Sequence, residues 1–360
     1  MPNPIQNELN KIHRLADALP RPVQFMEVCG THTMAVFRSG LHSLLPEKVK
    51  LLSGPGCPVC VTANRYIDKA IALARKPGVT VTSFGDMLRV PGSHESLEQA
   101  RADGAAVRVV YSPLDALKLA QQAPDQYFVF LGIGFETTVP AIAWTIRQAA
   151  RKGVDNYSVL CAHKTMPHAM AGLLTDQEVK VDGFLCPGHV SVIIGSEAYR
   201  PLAEKFNTPC VIAGFEPADI AAGIRMLLEQ VQANRATVEN EYSRSVTPGG
   251  NPSAQEAIRE VFQEADDYWR GLGVIPRSGL AIRDKFSRYD AARQFTDLRL
   301  PPVEEHAGCR CGDVLRGTCT PADCRLFGNA CTPSTPVGAC MVSAEGSCAA
   351  YFKYGNVPVC

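Results

Sequence analysis

YFVFLGIG at residues 127–134 is the stretch on which the fold reading turns. It is almost wholly apolar, shows no alternation with polar residues, and closes on glycine, as a strand buried on both faces does. Seven runs of the same kind surround it: VQFMEV (23–28), VKLLSG (49–54), VTVTSF (79–84), VRVVYS (107–112), YSVLCA (157–162), VDGFLC (181–186) and PCVIAG (209–214). Each is rich in β-branched or aromatic residues and ends near Gly, Ser or Cys. Between them lie helix patterns, for example Ile220, Ile224, Leu227, Leu228 and Val231 at helical spacing. Continuous apolar strands alternating with helices predict the α/β class, with parallel sheets covered on both faces. The eight runs suffice for one sheet, but the loops that follow them suggest two smaller α/β units. Outside this region, Leu9, Ile12, Ala16 and Leu19 predict an N-terminal helix. VTPGGNP (246–252) reads as a linker, and Ile258, Val261, Phe262, Ala265 and Trp269 predict a helix after it. Beyond Gly271 the chain reads as loop-rich.

The composition is that of an ordinary soluble protein: 46% hydrophobic and 20% charged residues in a chain of 360. Lys+Arg and Asp+Glu balance at 36 each, which leaves no net field for nucleic acid or an anionic membrane. No run is long enough to span a bilayer and no apolar signal core is present, so the expected location is the cytoplasm. The 14 cysteines are therefore the unusual feature: six lie before residue 309 and eight crowd into the remainder. In a reducing compartment that density points to metal or redox chemistry rather than disulfide staples.

In open α/β sheets ligands bind beyond the carboxyl ends of the strands, and several unusual loops fall there. Cys29-Gly30-Thr31-His32-Thr33 follows the first run, with Cys29 expected at a helix N-terminus that lowers its thiol pKa; a buried structural cysteine fits the spacing equally. Gly54-Pro55-Gly56-Cys57-Pro58-Val59-Cys60 places a Cys-X-X-Cys pair at the expected start of a helix running through Val61, Ile67, Ala70, Ile71 and Ala74. Local mechanics resemble the thioredoxin redox motif, and a zinc half-site is the alternative. GIGFETT (132–138) begins like a dinucleotide fingerprint, but Thr137 replaces the third glycine, which argues against nicotinamide or flavin. Its residue of interest is Glu136, a strand-end carboxylate. Cys161-Ala162-His163-Lys164 and Cys186-Pro187-Gly188-His189 each follow a strand; Cys161 and Cys210 read as core, and His189 is the better functional candidate.

The tail carries Cys309, Cys311, Cys319, Cys324, Cys331, Cys340, Cys348 and Cys360 among prolines and glycines. Such a segment has little material for a conventional core and needs a metal centre for stability. Thiol ligands with few histidines suit an iron–sulfur cluster or a cysteine-only zinc site, and the loose gaps favour the cluster.

CGTHT (29–33), GPGCPVC (54–60), GFETT (134–138), PGHVS (187–191), GFEP (214–217) and CRLFGNACTP…GACMVSAEGSCAAYFKYG (324–355) together resemble HypD proteins, in the expected order over nearly the whole chain. The one departure is Gly249, in the linker, where the family pattern has an acidic residue. The resemblance implies two Rossmann-like domains, at 20–46 with 123–232 and at 47–122. It implies a third, helical and loop-rich domain at 1–19 and 233–360 that holds a [4Fe–4S] cluster on Cys324, Cys331, Cys340 and Cys348. It further implies that Cys29 helps hold an iron bearing two cyanides and one carbon monoxide, shared with a small HypC partner, and that a HypE partner delivers cyanide. Cys57 and Cys60 become a redox pair between cluster and iron; His32, Glu136, His189 and Glu216 are the candidates for the iron site or its cleft. The function so implied is a maturation scaffold for nickel–iron hydrogenase; the alternative is a free-standing iron–sulfur thiol-disulfide oxidoreductase.

Overall fold

The structure is a computed structural model and describes residues 4–355. Among the described residues there are eleven strands: β1 Val23–Glu27, β2 Val49–Ser53, β3 Val79–Ser83, β4 Val107–Val109, β5 Tyr127–Gly134, β6 Tyr157–His163, β7 Gly183–Pro187, β8 Cys210–Ala213, β9 Val238–Asn240, β10 Phe262–Trp269 and β11 Gly273–Ile282. They form a five-stranded sheet of order β2-β1-β7-β8-β9, a four-stranded sheet of order β4-β3-β5-β6, and the β10-β11 hairpin. Every pairing in the two larger sheets is parallel. All eight expected runs are strands, and the α/β class with helix-flanked parallel sheets and a cysteine-rich C-terminal region is what the chain adopts.

The strands divide the chain elsewhere than at the expected boundaries. β2 lies within 47–122 yet pairs with β1, Val23 opposite Val49. β5 and β6 lie within 123–232 yet belong with β3. The chain passes from the first sheet to the second after β2 and returns after β6. An apolar run states that a strand is buried, not which neighbour buries it, because the same side chains serve either sheet.

Helices cover both faces. Pro4–Asp17 packs Leu9, Ile12 and Ala16 against Ile220, Ile224, Leu227 and Leu228 of the helix Pro217–Gln232. Each of these Leu and Ile side chains contributes about 1.5–3 kcal/mol on burial. Glu8 of the first helix accepts from Arg225 Nε of the second at 2.6 Å, at the edge of this contact. Pro217 sits at the helix start, where its missing N–H costs nothing.

The helix expected after the linker, through Ile258 to Trp269, is cut short. It spans Pro252–Val261, and Phe262 already has strand dihedrals (φ −115°, ψ 160°). In β10 only Phe262 and Trp269 at the two ends are buried, while most of the charged residues between them face solvent. Gly271 and Gly273 turn the hairpin with φ of +76° and +79°, values that L side chains avoid. Trp269 Nε1 then donates to Ser278 Oγ across it at 2.7 Å. Residues past Gly271 are thus a ten-residue strand rather than loop. After β11 the described residues contain short helices and turns. Among them, no helix is long and apolar enough to cross a membrane.

Candidate functional site

The loops after β1 and β2 are pressed backbone to backbone. Gly30 N–H donates to Gly56 O at 3.0 Å, and a Cβ on Gly56 would lie 2.2 Å from Cys29 N. Only glycine permits that approach. Cys29 stands at the N-cap of the helix Gly30–Arg38, extended at φ −148° and ψ 120°, and is buried. The tail covers it: Thr31 Oγ1 donates to Glu345 Oε1 at 2.7 Å, and a Cβ on Gly30 would lie 2.6 Å from Glu345 Cβ. His32 is fully buried and points the other way. Its Nε2 donates to the carbonyls at the end of β8, Gly214 O at 2.9 Å and Ala213 O at 3.2 Å, and its Nδ1 has no partner. Its ring lies 5.0 Å from Phe215, which stacks at 4.0 Å on the exposed His189.

Burial reverses the expected acidity of Cys29. The thiol is pushed up to about 12, first by desolvation and further by the Glu345 charge, against the N–H groups of the helix start. A buried thiolate loses more hydration than one helix terminus returns. Burial likewise depresses His32 to about 4, so both groups rest neutral.

Cys57-Pro58-Val59-Cys60 differs in a related way. Its helix is a single turn, Pro58–Val61, broken at Thr62 before the helix Asn64–Ala74 begins. One turn carries little dipole. Cys60 is fully buried and its thiol stands well above the usual range, with desolvation the main cause. Its Sγ points at Ala339 O, 3.9 Å away, and it interacts with the thiols of Cys57 and Cys340. Cys340 in turn meets Cys311 and Cys348. A run of sulfur therefore connects the strand-end loop to the tail.

Next to that run is a small cavity lined by Cys309, Cys311, Cys324, Cys331 and Cys348, with Val314, Leu326, Phe327 and Met341 between them. Three of the four expected cluster ligands, Cys324, Cys331 and Cys348, lie on it. Cys340 is not on that wall, but its thiol meets Cys311 and Cys348 of the wall on one side and Cys60 on the other. Sulfur donors in an apolar wall suit an iron–sulfur cluster, although among the described residues no three His, Cys, Asp or Glu side chains close around one ion position. Cys319 is not on the wall, and Cys360 lies outside the described residues.

The remaining candidates are dispersed. Glu136 is at the end of β5, in the other sheet, where Oε1 accepts Met166 N–H at 3.0 Å and Oε2 has no partner. Burial raises this carboxyl to about 7. It opens on a cavity of about 480 Å³ with Thr165, His168, Phe262 and Arg283. Glu216 is exposed at the N-cap of Pro217–Gln232. Cys186 and Cys210 are fully buried, and Cys161 Sγ donates to Leu280 O at 3.0 Å in a structural setting. Glu345 escaped the sequence reading, since nothing in AEGSC marks it as the residue that reaches Thr31.

The profile of the HypD family, described as hydrogenase formation hypA family, matches residues 3–355. The hydrogenase maturation factor HypD of Azotobacter vinelandii is 50% identical over 349 residues, covering 95% of this chain and 92% of that protein. The factor of the same name in Cupriavidus necator is 49% identical, covering 96% and 93%. That of Escherichia coli K12 is 47% identical, covering 97% and 94%. Likeness of this extent, end to end and at about half identity, decides the relationship: the chain belongs to the HypD family.

Proposed function

We propose that the chain is a hydrogenase maturation factor, an assembly scaffold for the iron carrying two cyanides and one carbon monoxide that enters nickel–iron hydrogenase. One observation carries the reading: Cys29, Cys57–Cys60 and the tail cysteines, far apart in sequence, occupy one continuous region. Cys29 holds the iron cargo together with a thiolate from a small HypC-type partner, and a HypE-type partner supplies cyanide. Since Cys29 rests protonated, iron capture must release its proton, and the cation replaces the hydration that burial removed. His32 and His189 border this side of the site. Glu216 is a more remote cleft candidate, and Glu136 faces a separate cavity.

The tail would hold a [4Fe–4S] cluster on Cys324, Cys331 and Cys348, with Cys340, which meets Cys348, or Cys309 or Cys311 on the same wall as the fourth ligand. When bound, such a cluster supplies single electrons. Cys340 and Cys60 lie between that cavity and Cys57, and Cys57–Cys60 acts as the dithiol–disulfide pair facing the iron side. A free-standing thiol-disulfide oxidoreductase fits less well, because both thiols of the pair are buried from an outside disulfide.

Infrared spectroscopy of the anaerobic complex with the small partner tests this reading. Cyanide and carbonyl stretches are expected with the parent protein and absent with Cys29→Ala, whose tail and iron–sulfur colour remain. Unchanged stretches in the variant refute the role of Cys29, while full thiol-disulfide turnover without Cys29 favours the oxidoreductase.

A further inference from the structure

Arg270 carries a positive charge into the protein without a carboxylate at contact distance. The residue is only 6% exposed. Its backbone N–H donates to Val61 O at 2.9 Å and Nη2 donates to Pro91 O at 3.0 Å. Nε has no acceptor, and the guanidinium takes part in no ion pair among the described residues. A guanidinium cannot shed its proton in a protein, so burial leaves a charge that something must meet.

The chemistry around it narrows the choice. Arg270 lines a cleft of about 320 Å³ with Cys309, Cys311 and Gly338. A Cβ on Gly338 would lie 2.5 Å from Cys311 Sγ and 2.7 Å from Cys309 Sγ, so both sulfurs crowd the same glycine. The groups whose negative charge would favour the guanidinium are Cys311, Glu305, Cys340 and Cys309, in that order. Glu305 is exposed and screened by water. A neutral thiol is only a weak acceptor for the guanidinium, whereas sulfur ligating a cluster carries negative charge that balances it.

We infer that Arg270 is the counter-ion of anionic sulfur at Cys309 and Cys311, a positioning residue that holds the electron-accepting centre of the tail at a raised reduction potential. The inference rests on the cluster reading above. Electron uptake adds negative charge beside Arg270, so a fixed cation favours the reduced state, and charge and hydrogen bonding near the sulfurs are what tune such centres.

The experiment compares anaerobic full-length protein with Arg270→Gln, Arg270→Met and Arg270→Lys, by iron content and by redox titration followed through visible absorption and electron paramagnetic resonance. The Gln and Met variants are expected to shift the midpoint to more negative potential, and Lys, which keeps the charge, to restore most of it. Arg270→Met retains the volume without a buried polar group, so it serves where Gln does not fold. Loss of iron from the Gln and Met variants but not from Lys also supports the charge role. An iron-replete Gln or Met variant with the parental midpoint overturns the inference alone. Iron-free parent protein overturns it together with the cluster reading.

Discussion

The strand ends of the five-stranded sheet carry Cys29, Cys57 and His189 in segments that meet the cysteine tail, whereas in the four-stranded sheet β6 runs into the β10–β11 hairpin and the turn after β3 reaches the tail through polar side chains, Ser343 Oγ donating to Asp86 Oδ2 at 3.4 Å. At the second sheet Thr165 N–H donates to Ser278 O at 2.8 Å. Lys164, 2% exposed at its side chain, holds Asp267 at 2.6 Å and Tyr268 O at 2.9 Å, with its ammonium 5.1 Å from the centre of the Trp269 ring. Both sheets are parallel and helix-covered, and both place unusual residues after their strands. What lies over the strand ends separates them: beside β6 the hairpin supplies polar partners to Lys164 and Thr165, and after β2 thiols face the thiols of the tail.

The largest expected effect breaks the comparison on the tail side. Replacing Cys324, Cys331 or Cys348 by Ala should remove iron and the broad absorption near roughly 400 nm typical of iron–sulfur charge transfer, and with them hydrogenase maturation. Full iron content in all three variants would place the centre elsewhere. Next, Cys57→Ser or Cys60→Ser should abolish maturation while iron and colour stay parental. Mass-spectrometric alkylation of the parent after redox equilibration should show the pair changing together, in one two-electron step; alkylation that needs a chelator first would mark the pair as metal ligands.

Effects at the other sheet should fall on stability alone. Lys164→Ala leaves Asp267 and a carbonyl without their donor and should cost about 2–3 kcal/mol in denaturant unfolding, with Asp267 exposed enough to soften the loss. Lys164→Met, which keeps the packing against Trp269, should cost less, and maturation should survive both. A maturation defect in stable Lys164→Met protein would show that this end also carries chemistry.

The smallest effect concerns pH. Glu136 is raised from 4.5 to about 7, so between those values the folded protein keeps a proton that the unfolded chain has released, and stability falls as pH rises through that window. Buried Glu27 acts in the same sense, while His32 and His163, depressed to about 4 and about 3, act oppositely as pH falls below 6.5. Only the difference between variant and parent isolates Glu136. Glu136→Gln should gain stability relative to the parent from pH 4.5 upward, reaching on the order of 2 kcal/mol near neutrality. A flat difference in thermal unfolding across this range would mean that the carboxyl is ionised throughout.

Eight of the nine strands of the two sheets were legible because a strand buried on both faces must be apolar without alternation, as YFVFLGIG is; the three-residue edge strand β9 (Val238–Asn240) carries no such run. β10 was not: FQEADDYW has Phe and Trp at its buried ends and charges between, a pattern that suits a helix stripe until the glycine turn fixes the strand. Cys29, Cys57 and Cys60 could be singled out because residue type and position after a strand are local properties. Their thiol acidity could not, since helix-start N–H groups are visible in a sequence and the loss of hydration around Cys29 and Cys60 is not. The sequence by itself determined strands β1 to β8, the covered parallel sheets and the concentration of sulfur in the tail. Only the tertiary structure decided which strands share a sheet, that Cys340 meets Cys60 as well as Cys311 and Cys348, and that Arg270 shares a cleft with Cys309 and Cys311. Those outcomes depend on packing between segments distant in the chain, where burial, rather than neighbouring residues, sets both position and charge.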